Sequence, residues 1–206
     1  MANYNNTSKV VHELSVLNNS MVAVGFLAGT TDFKLLTIVR ANEYGARIVP
    51  KRGKFLSIPS KECPKGADGL PMRPKEIDGL FRPKNKNVLC ISEGGKLVVY
   101  FYLVKQVVIP ARPFIRTAFQ NNKNKYAKIV QRGISNILHG TGTAVQLLNQ
   151  LGEIASTDIK LSSVKWSKPA NAPLTVANKG ANNPLVDTGM LQKHITYQVF
   201  LVGGNA

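Results

Sequence analysis

Apolar residues recur every three to four positions in some stretches of this chain and alternate or run together in others. The two spacings divide it into helices and strands. Val10, Val11, Leu14 and Leu17 share one face of a first helix over residues 9–17, with Ser8 as its N-cap and Asn18-Asn19 as its end. Residues 21–28, M-V-A-V-G-F-L-A, read as an apolar strand. Leu35, Leu36, Val39 and Tyr44 point inward from a helix over 33–44, opened by Thr31 or Asp32 and stopped by Gly45. A short strand is expected over 54–58. Residues 88–92 and 96–109 form the strongest strand pair, turning at Glu93-Gly94-Gly95. The run K-L-V-V-Y-F-Y-L-V-K-Q-V-V-I is aromatic and β-branched, as strands prefer, and is long enough to bend or bulge at the centre of a sheet.

Pro110-Ala111-Arg112-Pro113 marks an abrupt passage from strand to helix, because a proline loses no hydrogen bond in a first helical turn. Helix is expected to about Gln120 and again over 123–138, with Tyr126, Ile129, Val130, Gly133, Ile134 and Ile137 as an apolar stripe. His139-Gly140-Thr141-Gly142 breaks it. Thr143 then caps a last long helix whose Leu147, Leu148, Leu151, Ile154, Ala155 and Ile159 share a face. Two helices joined by so short a turn predict an antiparallel hairpin on a sheet. From Trp166 to Asp187 the chain is polar and broken by Pro169, Pro173, Gly180 and Pro184, with Leu174 and Val176 as the large apolar residues between Lys168 and Asn183. Such a segment buries little surface of its own and is expected as an extended arm ordered against a partner. A turn at Asp187-Thr188-Gly189, a short helical turn at Met190-Leu191 and a final strand over 194–202 follow. The order predicts an α+β fold: a largely antiparallel sheet packed against a helical hairpin. We expect one domain over 1–206, with a basic insertion loop at 59–87, pinned by Leu80-Phe81, and the arm at 166–187.

Charge changes this picture more than composition does. The formal net charge is +16 and unevenly spread. Residues 51–86 carry ten basic and four acidic side chains, and no acidic residue lies between Glu93 and Glu153 while eight basic ones do. A field of one sign favours a polyanionic neighbour, either nucleic acid or an acidic protein surface. No apolar run is long enough to span a bilayer, so no membrane partner is expected. The first residues lack the pattern of an export signal, and Cys63 and Cys90 are expected as reduced thiols.

The chain offers little catalytic chemistry. Val186-Asp187-Thr188-Gly189 matches the turn of aspartic proteases, but seventeen residues after Gly189 are too few for that fold, and Asp187 and Thr188 are expected to cap backbone N–H groups instead. His139-Gly140-Thr141-Gly142-Thr143 lacks a P-loop pattern and reads as an interhelical turn. His12, His139 and His194 are scattered, and no C-x-x-C pair exists. No catalytic residue, metal or cofactor is expected.

Five pieces then occur in one order: A-N-E-Y-G (41–45), I-P-A-R-P-F-I-R-T-A-F (109–119), L-L-N-Q-L-G (147–152), Trp166 with Pro169, Thr175 and Lys179-Gly180, and P-L-V-D-T-G-M-L-x-x-x-I-x-Y-x-V (184–199). Together they resemble the neck or tail-completion proteins of tailed bacteriophages. Two departures stand out: the 59–87 insertion is longer and more basic than the family pattern, and Lys193-His194 replace a usual serine. The resemblance implies a non-enzymatic virion component at the head–tail junction, assembled in the host cytoplasm. It implies a homo-oligomeric ring (a hexamer, with a dodecamer as the alternative) between a head-closure or connector protein and a tail terminator or tail tube protein. Trp166, Pro169, Leu174, Lys179, Pro184, Leu185, Asp187 and Thr188 are then expected at subunit or partner interfaces, Trp166 serving either as the arm's anchor or as a lid on the chain's own core. Lys51, Arg52, Lys54, Arg73, Lys75, Arg82, Lys84 and Lys86 are expected to face transiently passing double-stranded DNA. The charge alone supports a different class, a nucleic-acid-binding protein acting on its own.

Overall fold

The computed structural model describes residues 6–27 and 29–201. The chain folds as two compact units. The first holds the residues up to Tyr44, Arg112–Lys168 and those from Asn183 onward; the second holds Gly45–Ala111 and Pro169–Asn182. The fold is α+β, with every strand pair antiparallel.

The first unit begins with α1 (Thr7–Asn18) and β1 (Ser20–Gly25). Helix α1 starts two residues earlier than the sequence predicts: Asn6, not Ser8, is its N-cap, and no side chain caps it. Strand β1 stops at Gly25, whose φ of 135° few other residues adopt; Ala28, the expected end, lies outside the described residues. Helix α2 (Phe33–Tyr44) has the predicted bounds, and Asp32 Oδ1 accepts from the Leu35 N–H at 2.6 Å. Its inward face is corrected, however. Glu43 is buried there and Tyr44 is exposed, because Leu35, Val39 and Glu43 keep the i, i+4, i+8 spacing and Tyr44 does not.

Helix α3 (Phe114–Leu138) is continuous where a break near 120–123 was expected, and Pro113 is its N-cap. Asn121 and Asn122 do not interrupt it: the Asn122 side chain folds back and donates to the Ala118 carbonyl at 2.9 Å. Helix α4 (Ala144–Lys165) is opened by a capping box, in which Thr143 Oγ1 accepts from the Gln146 N–H and the Gln146 side chain accepts from the Thr143 N–H. The two form the predicted antiparallel hairpin, and α4 carries β1 and β7 (Thr196–Leu201) on its outer side. Strand β7 is shorter than the 194–202 expected, because His194 and Ile195 belong to the turn that ends α6 (Met190–Lys193); Val202 lies outside the described residues. The core joins Phe114, Ala118 and Ile159 with Leu35, Val39, Leu185, Leu191 and Ile195. A smaller cluster of Ile137, Ala144 and Leu147 seals the hairpin turn against α1.

Glycines set two close approaches. A Cβ on Gly152 of α4 would strike the Tyr197 ring of β7, and one on Gly133 of α3 would strike the Leu147 side chain of α4.

The second unit contains β2 (Ala46–Ile48), β3 (Leu56–Pro59), β4 (Val88–Glu93), β5 (Lys96–Val104) and β6 (Val107–Ile109). The long strand expected over 96–109 is cut in two at Lys105-Gln106. Strand β5 lies central in a β3-β5-β4 sheet, bulged opposite Leu89/Cys90, while β6 pairs with β2 instead. Residues 59–87 run between β3 and β4 with a single 3-10 turn at Pro74–Glu76. Phe81 pins the segment through its backbone, exchanging N–H···O bonds with Cys90 at 3.0 and 2.9 Å. Cys63 and Cys90 are buried free thiols, and burial raises the Cys63 pKa. Where an extended arm was expected, residues 173–179 form a two-turn helix, α5 (Pro173–Lys179). Pro173 starts it and Gly180 ends it in the left-handed conformation, so the two helix breakers stand at its ends. The Asn178 side chain ties α5 to the Pro59 carbonyl at 3.0 Å.

Candidate interaction surfaces

Residues of separate sequence motifs meet in the first unit. Glu43, only 3% exposed, lies over the first turn of α3. Its carboxylate accepts from the backbone N–H groups of Ile115 (3.0 Å) and Arg116 (3.1 Å) and from Arg116 Nε (3.0 Å). A helix start offers unpaired N–H groups and the positive end of the dipole, which is why a buried carboxylate is stable there. Arg116 also donates to the Glu43 carbonyl at 2.8 Å and stacks over the Tyr44 ring at 4.7 Å. Arg112, also buried, donates from its backbone to the Asn42 carbonyl and from Nη1 to Asn42 Oδ1; burial lowers its pKa. The A-N-E-Y-G and I-P-A-R-P-F-I-R segments therefore hold one another, with Glu43 and Arg112 buried between them and the Arg116 side chain half exposed.

A second buried carboxylate lies farther along the hairpin. Asp158 of α4 takes Lys125 Nζ on both oxygens at 2.8 Å, and the Tyr126 hydroxyl bonds to it as well. Burial first, and that bond second, raise the Tyr126 pKa.

The residues expected at interfaces divide. Leu185 is 5% exposed and belongs to the core of the first unit, and Trp166 packs half-buried against the same core. Trp166 thus packs on the chain's own core, and its buried indole N–H finds no acceptor among the described residues. Pro169, Asp187 and Thr188 are exposed, and Leu174, Lys179 and Pro184 are half-buried. Asp187 and Thr188 do not cap backbone N–H groups as expected. Gly189, with φ 76°, forms that turn through its own backbone and leaves both side chains in solvent.

All eight cations expected to face DNA are exposed, and all belong to the second unit. Arg82 is the most constrained: it lies 4.9 Å from the Phe55 ring centre and donates to the Lys86 carbonyl and to Asn87 Oδ1. Arg73 sits 4.0 Å from Glu76 in solvent, where such a pair contributes at most about 1 kcal/mol. Among the described residues the other six form no salt bridge.

At the glycine-rich turn before α4, the helix N–H of Gln146 is taken by Thr143 Oγ1 and that of Ala144 by Glu13, whose Oε2 accepts from it at 2.7 Å. Among the described residues no cluster of His, Cys, Asp or Glu could hold a metal ion, and no helix is long and apolar enough to cross a membrane.

One surface was missed from the sequence. An open apolar groove of about 490 Å³ lies between β1, which contributes Val22 and Val24, and α3, which contributes Ile115, Phe119 and Tyr126. Leu151, Ala155 and Ile159 of α4 form its floor. Phe119 is 58% exposed and its ring lies 6.2 Å from that of Tyr126. Breaking α3 near residue 120 hid this groove, because Ile115, Phe119 and Tyr126 then fell on two helices instead of one stripe.

No protein-family model matches the chain, and neither the curated proteins nor the solved structures contain a match.

Proposed function

We propose that this chain is a structural subunit of a tailed-bacteriophage virion, forming a ring at the head–tail junction that joins the tail to the capsid connector and lets DNA through. One observation carries the reading: the sequence pieces that resemble neck proteins pack against each other in pairs. Glu43 of A-N-E-Y-G holds Ile115 and Arg116 of the A-R-P-F-I-R piece, and Gly152 of L-L-N-Q-L-G receives Tyr197 of the last piece. These contacts join the separated pieces into one packed unit, as pieces of a single scaffold would be. The ring acts by assembly, without turnover. Its neighbours are other copies of the chain, a head-closure or connector protein on one side, and a tail terminator or tail tube protein on the other. Cryo-electron microscopy of virions from cells that make this protein tests the reading. Density for it in a ring between capsid and tail is expected; its absence from intact particles overturns the proposal.

A second reading has its own support in the eight exposed cations of the second unit: a nucleic-acid-binding protein acting on its own. It requires tight, salt-sensitive binding of duplex DNA by the isolated monomer, whereas a ring subunit needs only weak contacts along a DNA passage.

A further inference from the structure

We propose that one end of the β3-β5-β4 sheet is a binding site for the phosphates of a nucleic-acid backbone, with Arg82 as its fixed cation. Strands β3 and β4 both run antiparallel to β5, so their starts lie beside its end: Leu56 pairs with Val104, and Val88 with Tyr102. Neighbouring strands are about 4.8 Å apart, which places the three strand ends within about 10 Å of one another. Separate stretches of sequence thereby deliver their cations to one place. Lys51, Arg52 and Lys54 precede β3, Lys84 and Lys86 precede β4, and Lys105 follows β5, all of them exposed. The chain has no acidic residue between Glu43 and Glu62, between Asp78 and Glu93, or between Glu93 and Glu153. Among the described residues none of these cations forms a salt bridge.

Arg82 distinguishes this end from a diffuse basic surface. Its guanidinium lies 4.9 Å from the Phe55 ring centre, Nε donates to the Lys86 carbonyl at 2.8 Å, and Nη2 donates to Asn87 Oδ1 at 2.8 Å. The Asn87 carbonyl accepts from the Leu103 N–H at 2.8 Å, which ties this stretch to β5. A turn closed by the Lys86 N–H on the Pro83 carbonyl at 3.2 Å, with Asn85 at a φ of 61°, sets Lys84 and Lys86 beside it. Both acceptors of Arg82 are neutral, so its charge is uncompensated, and Nη1 has no acceptor among the described residues. A guanidinium already fixed in place loses little freedom when it pairs with a phosphate.

The occupant follows from what surrounds Arg82. The stretches K-R-G-K (51–54) and R-P-K-N-K-N (82–87) contain no large apolar side chain, and the neighbouring Phe55 lies under Arg82. A protein partner needs an apolar or aromatic centre to its interface, which these stretches do not supply. A nucleic acid needs none and brings a dense row of negative charge, one for about every 1.7 Å of duplex axis.

This site gives named residues to the reading in which the second unit meets DNA. It is tested on the purified full chain, so it can fail while the ring stands, and the ring can fail while it stands. The probe is a short fluorescein-labelled DNA duplex of mixed sequence, titrated with the protein at rising salt, with anisotropy as the readout. Arg82→Gln and Lys105→Gln are each expected to lower the slope of log K against log salt by about 0.9. Lys105 is exposed and in no salt bridge among the described residues, so its replacement does not put the fold at risk. Lys96→Gln removes the same charge from the far end of β5 and should leave the slope unchanged. Arg82→Lys keeps the charge but loses the fork, and should bind more weakly than the native protein at an unchanged slope. Two duplexes of unrelated sequence should bind alike. Native slopes in both the Arg82→Gln and Lys105→Gln proteins, an equal fall in slope for Lys96→Gln, or native affinity in Arg82→Lys overturns the proposal. Polyglutamate that displaces the duplex as well as unlabelled DNA of equal charge also overturns it, by making an acidic protein the occupant. So does inorganic phosphate that displaces the duplex where chloride of the same ionic strength does not, by making free phosphate the ligand.

Discussion

Glu43 shows how one side chain can hold two segments together. Its carboxylate is almost closed to water, a costly position for a charge unless every lone pair finds a donor. Two helix N–H groups and the Arg116 guanidinium supply those donors. Glu43→Ala leaves the N–H groups unpaired in a buried place and should destabilise the protein by about 1–3 kcal/mol. Glu43→Gln keeps one acceptor oxygen and should cost less. Urea denaturation of the three proteins gives the ranking, and equal stability of all three would end this account of Glu43. Its burial was missed in favour of Tyr44, although Glu43 falls four residues after Val39 on the face of α2 that Leu35 begins. What the sequence could not give was the partner, since the start of α3 lies some seventy residues away. Tyr126 makes a pH-dependent prediction. Its folded pKa is raised, so the folded state favours the protonated phenol. The stability gained is fully present below the unfolded value of about 10 and is lost as pH rises above it. Denaturation midpoints measured through the alkaline range should fall more steeply for the native protein than for Tyr126→Phe, which has no phenol to ionise.

At the scale of elements, the helical hairpin and its strands depend on two small residues. Replacing glycine by alanine within an exposed helix normally gains about 1 kcal/mol. At Gly152 the new methyl would strike the Tyr197 ring, which is held by its strand, so the sign should reverse to a loss of about 1–3 kcal/mol. At Gly133 the obstacle is the flexible end of Leu147, and the loss should be smaller. Thermal unfolding of both variants tests the order; a gain in stability at residue 152 would mean that β7 does not press on α4 as closely as described. Much at this scale was legible beforehand. The α2 bounds, the Thr143 cap, the hairpin and the turn at Glu93-Gly94-Gly95 follow from local chemistry: caps, glycines and apolar spacing. The misses came where distant contacts decided. Strand β5 ends at Val104 because β6 takes a different partner, β2. Helix α5 forms in a proline-rich segment whose tie to Pro59 spans 119 residues of sequence. The groove was lost with a local miss instead: α3 was expected to break near 120–123, where the Asn122 side chain in fact bonds back to the Ala118 carbonyl and the helix runs on.

At the scale of the whole molecule the charge of +16 has to be compensated by something outside the chain. Copies of so basic a subunit repel one another, and a closed ring brings like charges together. Over half of the excess falls on the second unit, which carries fourteen basic and five acidic residues. Lys51, Arg52 and Lys54 are the densest group there, exposed and unpaired by any carboxylate among the described residues. If this unit meets DNA phosphates in passing, binding of duplex DNA by the purified protein should weaken steeply with salt, because each phosphate contact releases about 0.9 of a counterion. Replacing all three cations by glutamine should then lower the slope of log K against log salt by about 2.7, with little dependence on DNA sequence. An unchanged slope would assign these charges to an acidic protein neighbour instead. In that case, adding salt should weaken the neighbour's binding while easing the repulsion between copies of this chain, and sedimentation at rising ionic strength would separate the two effects.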